Sequence, residues 1–554
     1  MVLAKTKKLV SLLEIPRVLP ITAKVGVGAG LLPHLGVRGI GVLAKGLLDG
    51  RTNPSLIYRF QASIQPSKVA IRWGERRITF LQLDAEIDRV CTGLGALGLG
   101  RGSTALFMLE NRPELIVLLA AMSRMGAAGV AISYRSTVSE LSFLVNHSGA
   151  RVLVCSAKTA PVVREAMGSF EGLQSSKVYC VDREDGLGNY DDLPVHQECA
   201  SPEDGEDSAV IIYTSGTTGT PKGAVRKFPR NAMIGTLQVL ASSPIRTDDI
   251  HLAVLPFYHA TSYVFTSYSH AVGATVVIQD RFEPRGFLEA IEKYRVTQTA
   301  LVPTLLRQVV RLGKPEIGRY DTSTLRAILL SGAPLGEELA RDAMDVFGSI
   351  VYNYYGSTET GLNTVATPRD LLRSPGTIGR LIAGHDIRIT NSRGRRVRKG
   401  KVGELFIRGP MVVEGYNDAS GGDGQRDGYF SVGDLGWVDR RGCYHLAGRK
   451  RDVIISGGVN VYPAEVERVL DAHPLVLESA VVGIPDETWG ERVCAVVVPR
   501  SGDGGELIGV LDAHCREYLS SPKRPRRIEV CESLPRNPTG KVVKAELVRW
   551  LVGA

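Results

Sequence analysis

The chain reads as a multidomain α/β protein, and three observations lead there. Its 554 residues exceed what one ordinary hydrophobic core organises. Its earlier part repeats a short apolar run followed by a helical stretch. Its later part changes to short runs in which apolar and polar residues alternate.

The elements follow in chain order. Ala105-Leu106-Phe107-Met108-Leu109 has the pattern of a buried strand, residues 115–122 of the helix after it, and residues 127–132 of the next strand. Val152-Leu153-Val154-Cys155 continues the series, which predicts parallel sheets with crossover helices. Between 377 and 438, Ile387-Arg388-Ile389, Glu404-Leu405-Phe406-Ile407-Arg408 and Trp437-Val438 predict a small barrel-like subdomain. A helix starting at Pro463 and strands at 481–483 and 493–498 predict a compact α/β domain at the end.

Composition sets limits on function. Apolar residues make up 44% and charged residues 23%, as in soluble globular proteins. The eight cysteines are scattered, with no C-x-x-C pair and no cysteine–histidine cluster, which predicts reduced thiols, no zinc site and a cytoplasmic setting. The net charge of +9 meets no Lys/Arg stripe interleaved with aromatics and no helix-turn-helix pattern, so nucleic acid is not the expected partner. An anionic substrate or membrane surface accounts for the charge.

Residues 1–50 stand apart. Lys5, Lys7, Lys8, Arg17, Lys24, Arg38 and Lys45 face Glu14 and Asp49, and seven minus two leaves +5. The longest uncharged run, 25–37, is too short to cross a bilayer and contains Pro33. Two readings are open: a basic amphipathic segment on the inner face of an anionic membrane, or an extension packed on the protein's own surface.

The chemistry gathers at a few loops. After the apolar run 209–212 comes Tyr213-Thr214-Ser215-Gly216-Thr217-Thr218-Gly219-Thr220-Pro221-Lys222-Gly223. Glycine backbone, short hydroxyls and one ammonium suit a polyphosphate, although Pro221 before Lys222 rules out a Walker A loop. The bland alternative is a solvated linker between strands. Pro256-Phe257-Tyr258-His259 puts a histidine among aromatics, as a core residue or at a pocket. Ser331-Gly332-Ala333-Pro334 follows a strand and offers a flat wall with few side chains. In Tyr354-Tyr355-Gly356-Ser357-Thr358-Glu359 an aromatic, hydroxyls and a carboxylate adjoin; a helix start capped by Ser357 or Thr358 is the plain structural reading. Then come Gly428-Tyr429-Phe430-Ser431-Val432-Gly433-Asp434, the charged break Gly448-Arg449-Lys450-Arg451-Asp452, the pair Gly457-Gly458, and Pro535-Arg536-Asn537-Pro538-Thr539-Gly540-Lys541.

In this order the stretches resemble the signature motifs of the adenylate-forming superfamily, which includes acyl-CoA synthetases, luciferases and the adenylation domains of peptide synthetases. The resemblance spans nearly all of 51–554. It implies a large domain, 51–448, of two parallel-type α/β subdomains plus a small β-barrel, and a small mobile α/β domain, 449–554. It implies ATP, Mg²⁺ and coenzyme A. Thr214, Ser215, Gly216, Thr217, Thr218, Gly219 and Lys222 would cradle phosphates. Gly332, Ala333, Pro334, Tyr355 and Gly356 would border adenine. Thr358 would reach the α-phosphate, Glu359 would hold the metal, and Asp434 and Arg449 would take the ribose. His259 would border the acyl pocket, Arg451 would be the hinge, Gly457 and Gly458 would pass the pantetheine arm, and Lys541 would be the catalytic lysine. Two positions depart from the pattern: Val432 replaces a usual threonine, and Arg451 a usual Asp or Lys.

The implied reaction joins a small-molecule carboxylic acid to coenzyme A through acyl-AMP. Amino-acid-activating relatives carry an aspartate near His259, whereas this chain continues with Ala260. Phe257, Tyr258, Tyr263 and Phe265, with Val302-Pro303-Thr304-Leu305-Leu306, suggest an apolar acid, first a medium- to very-long-chain fatty acid and second an aryl or sterol-derived acid. A fatty acyl-AMP ligase serving a carrier protein and a lipid-binding protein with a vestigial nucleotide site are further alternatives. The oligomeric state is open.

Overall fold

The computed structural model describes residues 20–48, 54–194, 209–214, 222–227, 230–412, 425–456, 459–500, 507–537 and 541–553, with backbone alone at 47–48 and 209–231. Two α/β sheets build the large domain, as expected. In the first, Gly188–Asn189, Val178–Cys180, Ala150–Cys155, Thr104–Met108, Ala128–Ala131 and Ala209–Thr214 lie parallel in that spatial order. Lys222–Lys227 closes the edge antiparallel. In the second, Val69–Trp73, Thr275–Ile278, Ile250–Ala253, Gln298–Leu301, Ala327–Leu330 and Val351–Ser357 are parallel.

The helices Phe80–Ala96 and Pro113–Arg124 lie between these sheets. One core cluster joins Leu83, Ile87, Leu115 and Leu118 to Phe107 of the first sheet and to Ile71 and Val276 of the second. Burial of Pro113–Arg124 on all sides follows from its near-continuous apolar sequence. Its one guanidinium, on Arg124, is compensated by Asp84 at 2.5 Å and Asp88 at 2.7 Å.

The barrel-like unit is present but not separate. Thr377–Leu381 pairs with Gly361–Ala366 on one side and Tyr444–Arg449 on the other. Hydrogen bonds therefore run unbroken from the second sheet into the antiparallel strands Asp434–Val438, Gly403–Arg408 and Asp386–Thr390. Residues 377–381 alternate too weakly to announce that double pairing. After the turn Lys450–Asp452, the long hairpin Val476–Asp486 and Gly490–Pro499 forms the centre of the small terminal sheet. The helices Pro463–Asp471, Leu507–Tyr518 and Lys544–Val552 cover it.

The N-terminal extension packs on the large domain over part of its length. A helix at 20–28 ends near Gly30, Pro33 sits in the turn Leu32–His34, and a second helix spans Val37–Leu48. Val25, Ala29 and Leu31 join a core with Val239, Leu240, Phe265 and Tyr268. The Thr247 amide donates to the Ala29 carbonyl at 2.8 Å. Gly39 lets the second helix approach closely, since a Cβ there would lie 2.3 Å from Ile64 Cγ2. Among the described residues no helix is long and apolar enough to cross a membrane. Residues 1–19 lie outside the described residues.

Among the described residues six cysteines carry free thiols and Cys91 is disulfide-bonded, against the expectation of reduced thiols throughout. A single bridge leaves no spacing signature for sequence reasoning to find.

The packing of Leu31 predicts a measurable cost. Leu31→Ala should destabilise the protein by about 2–3 kcal/mol. Val37→Ala, at a position 90% exposed, should cost under about 0.5 kcal/mol. Denaturant melts of the two variants check this, and equal midpoints would show that the extension does not support the core.

Candidate active site

A buried carboxylate lies at the centre of the site. Asp434 opens its strand directly opposite Arg449 on the antiparallel neighbour. That register brings Arg449 Nε to 3.2 Å from Asp434 Oδ1. From the second sheet, the Tyr355 hydroxyl donates to Asp434 Oδ2 at 2.8 Å. Burial pushes the Asp434 carboxyl up, while Arg449, the Tyr355 hydroxyl and Lys541 oppose that shift. Burial, reinforced by the adjacent carboxylate, holds the Tyr355 phenol well above its usual range. A carboxylate offers about four lone-pair sites, so two remain for a pair of vicinal hydroxyls. A cavity of about 290 Å³ opens beside it, lined by Val432, Gly433, Arg449, Lys450 and Arg451.

Thr358 and Glu359 lie in the turn between the hairpin strands Val351–Ser357 and Gly361–Ala366. This corrects the plain reading of a helix start. Ser357 Oγ accepts from the amides of Glu359 and Thr360, each at 3.2 Å, and so caps a hairpin turn. Gly356 is required there: a Cβ would lie 2.0 Å from the Gly361 carbonyl oxygen.

Lys541 reaches this group from the small domain. Crowding by protein atoms and then the Arg449 guanidinium hold its ammonium below the ordinary lysine range, and Asp434 and Glu359 oppose them. The Lys541 amide donates to Asn537 Oδ1 at 2.9 Å, which ties the lysine to its own loop. Sequence reasoning thus named Tyr355, Asp434, Arg449, Glu359 and Lys541 separately, and the fold brings them together. Arg451 lies in the connecting turn, its Nε 3.5 Å from Asp452 Oδ1.

Three segments carry the residues expected at the acyl side. His259 is the N-cap of the helix Ala260–Val272, and its ring lies 4.4 Å from that of Tyr258. Tyr258 meets Tyr134 edge to face at 6.1 Å. Gly332 has φ +87°, and a Cβ on it would meet Val302 Cγ1 at 3.4 Å and Thr261 Oγ1 at 3.5 Å. Phe257 and Phe265 do not face this space; both are core residues, Phe257 between the two sheets and Phe265 under the N-terminal helix. Their outward-looking spacing in sequence gave no sign of which face each would take.

Two residues were missed. Thr261 lies beside Gly332. Asn111, buried, donates to the Leu255 carbonyl at 3.0 Å and accepts from the Phe257 amide at 2.9 Å, so it braces the loop that carries His259. Its signal was a lone Asn just beyond a buried strand and before a proline-started helix.

The signature loop closes a hairpin, with Thr214 and Lys222 paired across it. Ser215, Gly216, Thr217, Thr218, Gly219, Gly457 and Gly458 lie outside the described residues. Gly332, Ala333 and Pro334 follow the strand Ala327–Leu330, as expected. Among the described residues no three His, Cys, Asp or Glu side chains converge as a metal site. The single carboxylate of Glu359 fits Mg²⁺, which commonly binds through one carboxylate together with substrate phosphates and water.

Comparison with known proteins agrees with this geometry. Residues 58–417 match the AMP-binding enzyme family, and residues 465–541 match the AMP-binding enzyme C-terminal domain. A feruloyl-CoA synthase of Amycolatopsis is 33% identical over 88% of this chain and 97% of its own. A long-chain-fatty-acid–CoA ligase of Mycobacterium tuberculosis is 30% identical over 88% of this chain and 95% of its own. The structure of o-succinylbenzoate CoA synthetase from Bacillus subtilis, in complex with its acyl-adenylate, superposes with a TM-score of 0.77 at 28% identity, covering 89% of this chain and 97% of that one. The chain belongs to the AMP-binding enzyme family. Within it, the protein is an acid–thiol ligase that activates a carboxylic acid as acyl-AMP and uses ATP, Mg²⁺ and coenzyme A.

The Lys541 ammonium is held below the ordinary lysine range, so a rate that depends on its charge should fall as pH rises toward that range. Lys541→Arg, which does not deprotonate in this range, should move or abolish that alkaline limb. Rates of acyl-AMP formation against pH for both proteins check this; superimposed limbs would assign the titration to another group.

Proposed function

We propose that the acid is a medium- to very-long-chain fatty acid, and that the enzyme works in the cytoplasm in peripheral contact with a membrane. The observation that carries the first part is the wall of the acyl side. A side chain added at Gly332 would touch the Val302 methyl and the Thr261 hydroxyl, neither of them charged. An apolar contact of this kind suits an alkyl chain, each methylene of which contributes about 0.8 kcal/mol when removed from water. An aryl acid is the second reading, supported by the edge-to-face pair Tyr134–Tyr258. The names of relatives divide between the two classes.

The tasks that the family resemblance implies fit the positions of these residues. Asp434 and Arg449 hold the ribose, and Tyr355 keeps Asp434 in place. Thr358 and Glu359 face the phosphates from the hairpin turn, where Mg²⁺ on Glu359 would offset phosphate charge. Lys541 stabilises charge as the acid's carboxylate attacks the α-phosphorus and pyrophosphate departs. Asn111 fixes the His259 loop against the acyl chain. Thiolation requires Lys541 to withdraw and Gly457 and Gly458 to approach, with Arg451 as the pivot. The acyl-AMP is already activated, so attack by the thiol and loss of AMP need no protein nucleophile.

Pyrophosphate release with octanoate, palmitate, lignocerate, ferulate and a bile acid tests the substrate. We expect kcat/KM to climb along the fatty series by up to about fourfold per methylene until the pocket is filled. Ferulate as the best acid would establish the aryl reading instead. In the same assay Lys541→Ala should lose acyl-AMP formation by about 10²-fold or more while still converting supplied acyl-AMP to the thioester. Equal loss of both steps would remove Lys541 from its assigned role.

A further inference from the structure

The N-terminal segment does two things at once. One side of 20–48 is core, through Val25, Ala29 and Leu31. The other side leaves large apolar side chains in water: Val37 is 90% exposed, Val27 67%, Ile40 58% and Leu32 50%. These four fall within fourteen residues, counting 27 to 40 inclusive, and Pro33 and Gly36 turn the chain between them.

The polar side chains among them have one sign. Residues 20–48 contain Lys24, Arg38 and Lys45, one Thr and one His, and no Asp or Glu. Among the described residues no carboxylate pairs with Lys24, Arg38 or Lys45. The segment has no Phe, Tyr or Trp, the residues that anchor protein–protein interfaces. It also offers few side-chain acceptors to a protein partner. Exposed Val, Leu and Ile on small-residue helices, rimmed by unpaired cations, suit an acyl–headgroup boundary.

Position relates this surface to the reaction. The core beneath it includes Phe265, Tyr268 and Val272 of the helix Ala260–Val272, whose N-cap is His259. That helix of 13 residues is about 20 Å long. The buried side of the same segment therefore shares a core with the helix whose N-cap is His259, the residue assigned to the acyl pocket.

We propose that Val27, Leu32, Val37 and Ile40, with Lys24, Arg38 and Lys45, form a docking face that sits on an anionic lipid bilayer and receives the apolar acid from it. This rests on the fatty-acid reading above. A second centre of charge competes for the same role. Residues 393–401 carry Arg393, Arg395, Arg396, Arg398, Lys399 and Lys401 with no acid, on an exposed hairpin tip. These six charges and the five of residues 1–50 exceed the chain's +9, so everything else sums to −2. The hairpin lacks apolar exposed side chains, so it would give binding that salt removes completely, whereas the N-terminal face adds a part that salt leaves intact.

The test uses full-length protein and vesicles of phosphatidylcholine with or without phosphatidylglycerol. Wild type should co-sediment with the anionic vesicles and keep part of that binding at high salt. Val37→Glu with Ile40→Glu should weaken binding by about tenfold or more at an unchanged melting temperature. This variant should keep its rate on octanoate in solution and lose rate on palmitate presented in vesicles. Arg395→Glu with Arg396→Glu should retain the salt-resistant part. Wild-type binding by V37E/I40E, or complete loss of binding in R395E/R396E, overturns the proposal. Loss of self-association in V37E/I40E on size-exclusion chromatography, without change in vesicle binding, also overturns it in favour of a second copy of the chain. If palmitate in detergent solution gives no AMP, it is the fatty-acid reading that fails, whatever the vesicles show.

Discussion

A carboxylate held out of water must be paired, and Asp434 meets that constraint by drawing three parts of the fold together. Its partners come from the second α/β sheet through Tyr355 and from the last strand before the small domain through Arg449. The Tyr355 ring packs with Ile387, Leu405 and Ile407 of the antiparallel unit, so its hydroxyl is aimed by a hydrophobic core. Removing either partner would take one of the hydrogen bonds from a buried carboxylate, a cost of about 1.5–3 kcal/mol. The continuous hydrogen-bonded path through Thr377–Leu381 keeps the two sheets in the register this pairing needs.

The small domain rests on this frame through few, polar contacts. Arg307 donates to the Leu477 carbonyl at 2.6 Å, and Arg500 pairs with Glu338. Contacts of this kind re-form in a new geometry more readily than an interlocked apolar interface. Beside them Asp471 is half-buried, its carboxyl pushed up to about 7 by desolvation, with the Ser479 hydroxyl donating to it at 2.7 Å. A raised carboxyl favours the folded arrangement when protonated. Its contribution is complete below the ordinary carboxylate range and is lost as pH rises through about 7. In this arrangement Lys541 is within electrostatic reach of Asp434 and Glu359.

The N-terminal extension packs on the large domain by one face, as one of the two readings of its composition expects, and leaves the other face exposed. Basic residues and scattered apolar ones describe a membrane segment and a packed extension equally well. The helices divide them by face: Val25, Ala29 and Leu31 enter the core while Val37 and Ile40 remain in water.

The sequence by itself determined the elements whose signals are local. Apolar runs became strands, the helix at Pro463 started where proline permits, and Thr358 and Glu359 lie in a hairpin turn, because period and turn chemistry act over a few residues. It also determined the chemical kind of the site, since the motif residues carry the donors and acceptors that a nucleotide and an acid need. Tertiary structure decided what depends on distance along the chain. Asp434 meets Tyr355 across 79 residues, and no local pattern encodes that hydrogen bond. Ser357 looked like a helix cap until antiparallel pairing with Gly361–Ala366 turned the strand back on itself. Phe257 and Phe265 looked like pocket residues, yet the core took both, because burial against whichever neighbour arrives outweighs the order in which aromatics are written.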